Sequence, residues 1–314
     1  MKAKEHREHK TIISHEDHKI SKLHNDKQLH EIHVKRSPKI AKEYIEPVEI
    51  PDNLDEQEDT KVTDLIFIGH QHYQVGHFAT IGKRPTMEDS TSIVGDVIGN
   101  GSQYYAVFDG HGGDEVAKYC SRNLYKEFAH RYENAEKIQE TLKASILEMN
   151  KDLIAKYPEC GSTAAIVVVA NDIIYTANMG DARIIISNEN NQIKRLSYDH
   201  RASDPYEKKL IEAKGGKVFM GRIYGMLMVS RCLGDGIFDG LLINEPYMTK
   251  TTRKNGMILI IGCDGVWDVM RDDEAMNIAK EAKSPEEAAQ KIVKEALDRG
   301  STDNVSCVVV NLSK

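Results

Sequence analysis

From Val62 to the carboxyl end, the chain is a succession of short runs rich in β-branched and aromatic residues. They read "VTDLIFIG", "HYQVGHFAT", "DSTSIVGDV", "QYYAVFDG", "TAAIVVVAN", "DIIYTANMG", "ARIIISN", "GMILIIGCDG" and "VSCVVVNL". Turn-prone pairs such as Asn-Asp and Gly-Asp join several of them, which predicts antiparallel hairpins rather than parallel strands spaced by helices. Helical patterns lie between. Ile138, Leu142, Ile146, Met149 and Leu153 recur at spacings of four, four, three and four, a single apolar stripe that belongs in a core. A second helix announces both ends in "SPEEAAQKIVKEALDRG": Ser284 as N-cap, Pro285 at the first helical position, Glu287 completing a capping box and Gly300 as the stop. The expected fold is α+β, many strands with a few amphipathic helices packed on them.

The first sixty residues break this pattern. They hold no glycine, one aromatic residue (Tyr44) and seven of the chain's thirteen histidines, with eight acidic residues between Glu43 and Asp59. Such a stretch buries too little apolar area to fold alone, so residues 1–61 are expected to be a flexible polar tail and 62–314 a single domain. The histidines lack a sustained i, i+4 pattern and are read as solvated rather than as metal ligands.

The 314 residues suffice for a substantial core. A formal charge of -7 argues against nucleic acid as the main partner, because phosphate neutralisation needs a basic face. The five cysteines are scattered and never spaced as Cys-x-x-Cys, which disfavours a disulfide framework and a zinc knuckle and suits a reducing compartment. With no apolar leader and no twenty-residue apolar run, an intracellular location is expected, cytoplasmic or nuclear, without a membrane partner.

The chemistry lies where strands end. Glu88 and Asp89 in "RPTMEDS", Asp109 in "VFDGHGG", Asp181 in "ANMGDAR", Asp235 in "SRCLGDG", Asp264 in "IIGCDGVWD" and Asp303 in "STDNVS" follow or precede apolar runs beside small residues. Singly, each is an ordinary turn residue. Their repetition suggests a common site, and a cluster of dehydrated carboxylates needs cations to keep it ionised. The donors are oxygens, without cysteine or a second histidine, which favours Mg²⁺ or Mn²⁺ over Zn²⁺.

In order along the chain, "RPTMEDS", "VFDGHGG", "GSTAA", "NMGDAR", "VSRCLGD", "CDGVWDV" and "STDNVS" resemble the metal-dependent protein serine/threonine phosphatases, the type 2C or PPM family. The similarity runs from about Tyr73 to the end. It implies a β-sandwich of two antiparallel sheets flanked by helices, with two Mg²⁺ or Mn²⁺ ions at one end. By resemblance, Asp109 bridges both ions, the Gly110 carbonyl completes one shell, and Glu88, Asp264 and Asp303 supply the other carboxylates. Arg84 binds the substrate phosphate, His111 acts as general acid, and Asp89 orients water for direct attack on phosphorus without a phospho-enzyme. Thr163 and Asn304 support the site by hydrogen bonding. Asp181 and Asp268 match positions tied to a third, weaker metal, or else make turn and core contacts.

Residues 204–229 correspond to the family's variable flap, where Lys208, Lys209, Arg222 and Tyr224 are candidates to meet a phosphoprotein. Two positions depart from the pattern: Cys232 stands where alanine is usual, either an inert buried thiol or a redox-sensitive one, and Met228 where a small residue is usual. The function implied is hydrolysis of phosphoserine and phosphothreonine in proteins by a monomer. The alternatives are a catalytically silent scaffold of the same fold and a metal-dependent phosphodiesterase or nuclease, the latter disfavoured by the acidic balance.

Overall fold

The computed structural model describes residues 64–188, 190 and 192–313. The tail expected over residues 1–61 lies outside the described residues. Strands β1 (Asp64–Ile68), β2 (Gln74–Thr80), β3 (Asp89–Gly95) and β4 (Gln103–His111) are followed by helices α1 (Glu115–Arg131) and α2 (Ile138–Lys156). Next come β5 (Gly161–Ser162), β6 (Ala164–Ala170), β7 (Ile173–Met179), β8 (Arg183–Ser187) and β9 (Ile193–Arg195), then helix α3 (Pro205–Ala213). The short strands β10 (Val218–Phe219), β11 (Arg222–Ile223) and β12 (Leu233–Gly234) precede β13 (Tyr247–Thr252) and β14 (Ile258–Gly262). Helices α4 (Asp264–Trp267), α5 (Asp272–Glu281) and α6 (Pro285–Asp298) lead to β15 (Val305–Asn311).

Two sheets stack face to face. One runs β1-β3-β4-β6-β7-β13, with β5 and β12 attached beside β4, and the other runs β2-β15-β14-β8-β9. The two-residue side-chain period sorts each strand between layers. Tyr104, Ala106 and Phe108 of β4 point to α1 and α2, where Leu142, Ile146 and Leu153 of the predicted stripe are buried beside them. Tyr105 and Val107 point the other way, meeting Ile184, Leu259, Ile261 and Val308 of the second sheet. On that sheet's far face, Ile260, Cys307 and Val309 pack against Ala275, Ile292 and Val293 of α5 and α6. The order of layers is therefore helix, sheet, sheet, helix, as the resemblance implies.

Among the described residues the strand pairings are antiparallel with one exception: β1 lies parallel to β3. Hairpin reasoning misses it because β2, between them in sequence, joins the opposite sheet, so the chain returns to the first sheet through a crossover. At the head of α6 the Ser284 hydroxyl accepts from the Glu287 N–H at 3.2 Å, as expected. Glu287 itself accepts from the Lys283 N–H at 2.7 Å, one residue ahead of the N-cap, so the box is offset. No helix among the described residues is long and apolar enough to cross a membrane.

Candidate functional site

The sheet registers bring the acids together. Asp89, at the start of β3, is the cross-strand partner of Asp109 near the end of β4. In the second sheet β14 and β15 run antiparallel, so Asp264, just after β14, and Asp303, just before β15, emerge at one edge. Glu88, Asp109, Asp264 and Asp303 all line a cleft of about 540 Å³ at this end of the sandwich, together with Arg84, His111 and Asp181. Asp89 lies behind the wall, buried, its Oδ2 accepting from Ser306 Oγ at 2.6 Å.

Burial and crowding raise the pKa values of Asp109, Asp264 and Asp89. Burial lifts Asp109 well above the ordinary carboxylate range, and the charges of Asp264, Asp89, Asp181 and Asp303 lift it further. Asp264 is raised by burial, then by Asp181, Asp268 and Asp303. Burial pushes Asp89 up to about 6 against hydrogen bonds that lower it. Asp89 Oδ1 and Asp181 Oδ2 are buried and make no hydrogen bond. Clustered, half-satisfied oxygen donors with too little positive charge among them fit hard dications well.

Small supports fix the acids. The Thr163 hydroxyl accepts from the Asp109 N–H at 3.2 Å, and the Thr163 N–H donates to the Asp109 carbonyl at 2.8 Å. Asn304 Oδ1 accepts from the Glu88 N–H at 2.8 Å while Nδ2 donates to the carbonyls of Ile81 and Thr86, each at 2.9 Å. Glu88 also accepts from Thr86 Oγ1 at 2.9 Å and from the Gly113 N–H at 3.3 Å. Gly110 must lack a side chain: a Cβ there would stand 2.5 Å from the Glu88 carbonyl oxygen. Arg84 donates through Nη2 to Asp303 Oδ2 at 2.7 Å, which holds a half-exposed guanidinium at the mouth.

Residues 73–305 match the protein family described as Protein phosphatase 2C. The chain belongs to this family. It is 38% identical over 245 residues to Protein phosphatase 2C homolog 1 of Schizosaccharomyces pombe, an alignment covering 74% of this chain and 70% of that one. Protein phosphatase 2C homolog 1 of Saccharomyces cerevisiae is 35% identical over 251 residues, 73% of this chain and 89% of that one. Among solved structures, a phosphatase from Toxoplasma gondii superposes with a TM-score of 0.67 at 22% identity, covering 77% of this chain and 93% of that one. A Caenorhabditis elegans sex-determining protein superposes at 0.70 and 24% identity, over 76% and 65% of the two chains. Protein phosphatase 2C is a metal-dependent serine/threonine phosphatase family.

Within this phosphatase 2C chain, Asp181 and Asp268 share a cation already present. Arg201 Nε is 2.9 Å from Asp181 Oδ2, an ion-pair distance at an angle that makes no hydrogen bond, and Arg201 Nη2 donates to Asp268 Oδ1. The sequence offered these two acids either a weak metal or structural contacts, and the geometry gives them an arginine.

His111 has partners that sequence reasoning did not assign. Its Nε2 is 2.5 Å from Asp235 Oδ2, the same oxygen that accepts from Cys232 Sγ at 3.0 Å. The sequence marks Asp235 only as one of the recurring acids; its signal is its place in "SRCLGDG", with the unusual cysteine three residues before it. Gly161 makes room for the pair, since a Cβ there would lie 2.3 Å from Asp235 Oδ2 and 2.5 Å from His111 Nε2. Another thiol approaches the acids as well: Asp89, Asp109 and Cys263 present donor atoms within 4.8 Å of one another. The fold thus brings two buried thiols, Cys232 and Cys263, beside carboxylates, while the acids that line the cleft remain oxygen donors suited to hard cations.

Part of the 204–229 segment reaches the cleft. Arg222, Met226, Leu227, Met228 and Val229 line the cleft, and Ile211, Ile223, Leu227 and Cys232 share a small core beneath it. Met228 is half-buried and lines the cleft. Of the four candidate contacts, Arg222 alone lines the cleft, with Nη1 donating to the Met226 carbonyl at 2.8 Å. Lys208 pairs with Glu212 at 3.7 Å, and Tyr224 donates to the Gly215 carbonyl at 3.4 Å.

Proposed function

We propose that this chain hydrolyses phosphoserine and phosphothreonine in proteins, with Glu88, Asp109, Asp264, Asp303 and the Gly110 carbonyl holding two Mg²⁺ or Mn²⁺ ions. When bound, such ions supply positive charge to the phosphoryl oxygens and acidify water. The observation that carries the reading is that Glu88, Asp109, Asp264 and Asp303 line one cleft, where burial and neighbouring carboxylates raise Asp109 and Asp264 and bound cations would keep them ionised.

The chain's own groups do the rest. Arg84 meets the phosphate dianion at the mouth, where a bidentate guanidinium complements phosphoryl oxygens better than an ammonium would. Asp89 accepts a proton from water or orients it, from a position fixed by Ser306. His111 delivers a proton to the departing alkoxide; with Nε2 committed to Asp235, that proton comes from Nδ1, and Asp235 steadies the imidazolium. Thr163 and Asn304 hold Asp109 and Glu88 in register. With water as the nucleophile, no phospho-enzyme forms.

Two ions are read here rather than three, because Arg201 supplies the charge between Asp181 and Asp268. The test is release of phosphate from a phosphothreonine peptide across a Mn²⁺ titration. Turnover that rises with Mn²⁺ and stops with chelator supports the enzyme. A fully loaded protein with no turnover would move the reading to the silent scaffold.

A further inference from the structure

We propose that His111, Cys232 and Asp235 form a separate, softer cation site, selective for Zn²⁺ or Cd²⁺, whose filling withdraws His111 from proton donation. The three residues present an imidazole nitrogen, a thiol sulfur and a carboxylate oxygen within 4.8 Å of one another. Nitrogen, sulfur and one oxygen form a zinc donor set, unlike the carboxylates that suit Mg²⁺ or Mn²⁺.

Charge closes as well. As the sulfur–metal bond forms, the Cys232 proton leaves to solvent, and the thiolate with the Asp235 carboxylate neutralises a dication. The present contacts of 2.5 and 3.0 Å are hydrogen bonds. Tetrahedral bonds of about 2.0 to 2.3 Å hold donors roughly 3.3 to 3.6 Å apart, so the side chains need spread by only about 1 Å.

An entry path exists. Cys232 and Asp235 are buried, whereas the His111 side chain is 29% exposed, and His111 and Asp235 both line the cleft. A fourth coordination position would face that cleft. Metal on Nε2 prevents the imidazole from cycling through the imidazolium, so the ion would inhibit without displacing the hard cations. This inhibitory half rests on the proposed role of His111; the binding half does not.

The experiment uses Co²⁺ as a spectroscopic stand-in for Zn²⁺, added to the full-length protein in excess Mg²⁺. Expected are tetrahedral d–d absorption and a thiolate-to-cobalt charge-transfer band saturating near one equivalent, both bleached by Zn²⁺. Cys232→Ser and His111→Ala should each lose the band, and Cys263→Ser should keep it. Absence of a thiolate band, or a band that survives Cys232→Ser and vanishes in Cys263→Ser, overturns the site. In parallel, Zn²⁺ should inhibit Mg²⁺-supported hydrolysis at concentrations at least tenfold lower in the wild type than in Cys232→Ser, each normalised to its own uninhibited rate. A band with equal zinc sensitivity keeps the site and overturns the inhibitory role given to His111.

Discussion

Asp89 and Asp109 stand opposite each other across β3 and β4, one buried and the other on the cleft wall, with donor atoms within 4.8 Å. An ordinary protein interior would not keep two carboxylates so close. The arrangement is costly in the metal-free fold and useful once cations arrive, so stability, pH and metal should be linked at this pair.

For Asp89 the sign is definite. Its folded pKa is about 6 against an ordinary 3.8, so its contribution to stability is full below 3.8 and is lost as pH rises through 6. In chelator, Asp89→Asn should match the wild type near pH 4 and gain on it toward pH 7, by up to about 3 kcal/mol. Denaturant melts at several pH values measure this, and a constant difference would contradict it. Comparing the two proteins cancels His77 and His200, buried near-neutral groups lowered to about 4 whose contributions are lost as pH falls.

His111→Ala should reduce turnover of phosphothreonine peptides by roughly a hundredfold, and of an aryl phosphate much less, since a poor leaving group depends more on protonation. Asp235→Asn should show the same substrate-dependent pattern, smaller in size, through its hold on Nε2. Gly161→Ala, which drives a methyl group into the pair, should resemble Asp235→Asn. Equal losses on both substrates would make His111 a structural residue.

Arg201→Ala removes the cation between Asp181 and Asp268. Calorimetric titration should then reveal one additional weak Mn²⁺ equivalent absent from the wild type. If stoichiometry is unchanged, Arg201 does not stand in for a metal between these acids.

Ser284→Ala deletes the side-chain cap of α6, far in function from the cleft. It should lower stability by about 1 kcal/mol while leaving Mn²⁺ affinity untouched. A change in affinity would mean that α6 positions the site more directly than its packing on the second sheet implies.

The layers were legible in the sequence because strand alternation and the helical stripes are local patterns. The candidate site was legible for a related reason: each acid marks a strand end, beside a small residue, and the order of the motifs identified the family. What could not be read were contacts made across the fold. The parallel β1·β3 pair depends on β2 joining the opposite sheet. Arg201 reaches Asp268 across 67 positions, and His111 reaches Asp235 across 124. No local period encodes such meetings, and the cysteine at position 232 gains meaning only beside them.

The most direct measurement is calorimetric titration of the full-length, metal-free protein with Mn²⁺, alongside Asp109→Asn and Asp264→Asn, with circular dichroism to confirm folding. Two equivalents in the wild type, with affinity lost at least tenfold in each folded variant, is the predicted result. Isotherms indistinguishable among the three proteins would contradict a dication centre built on these carboxylates.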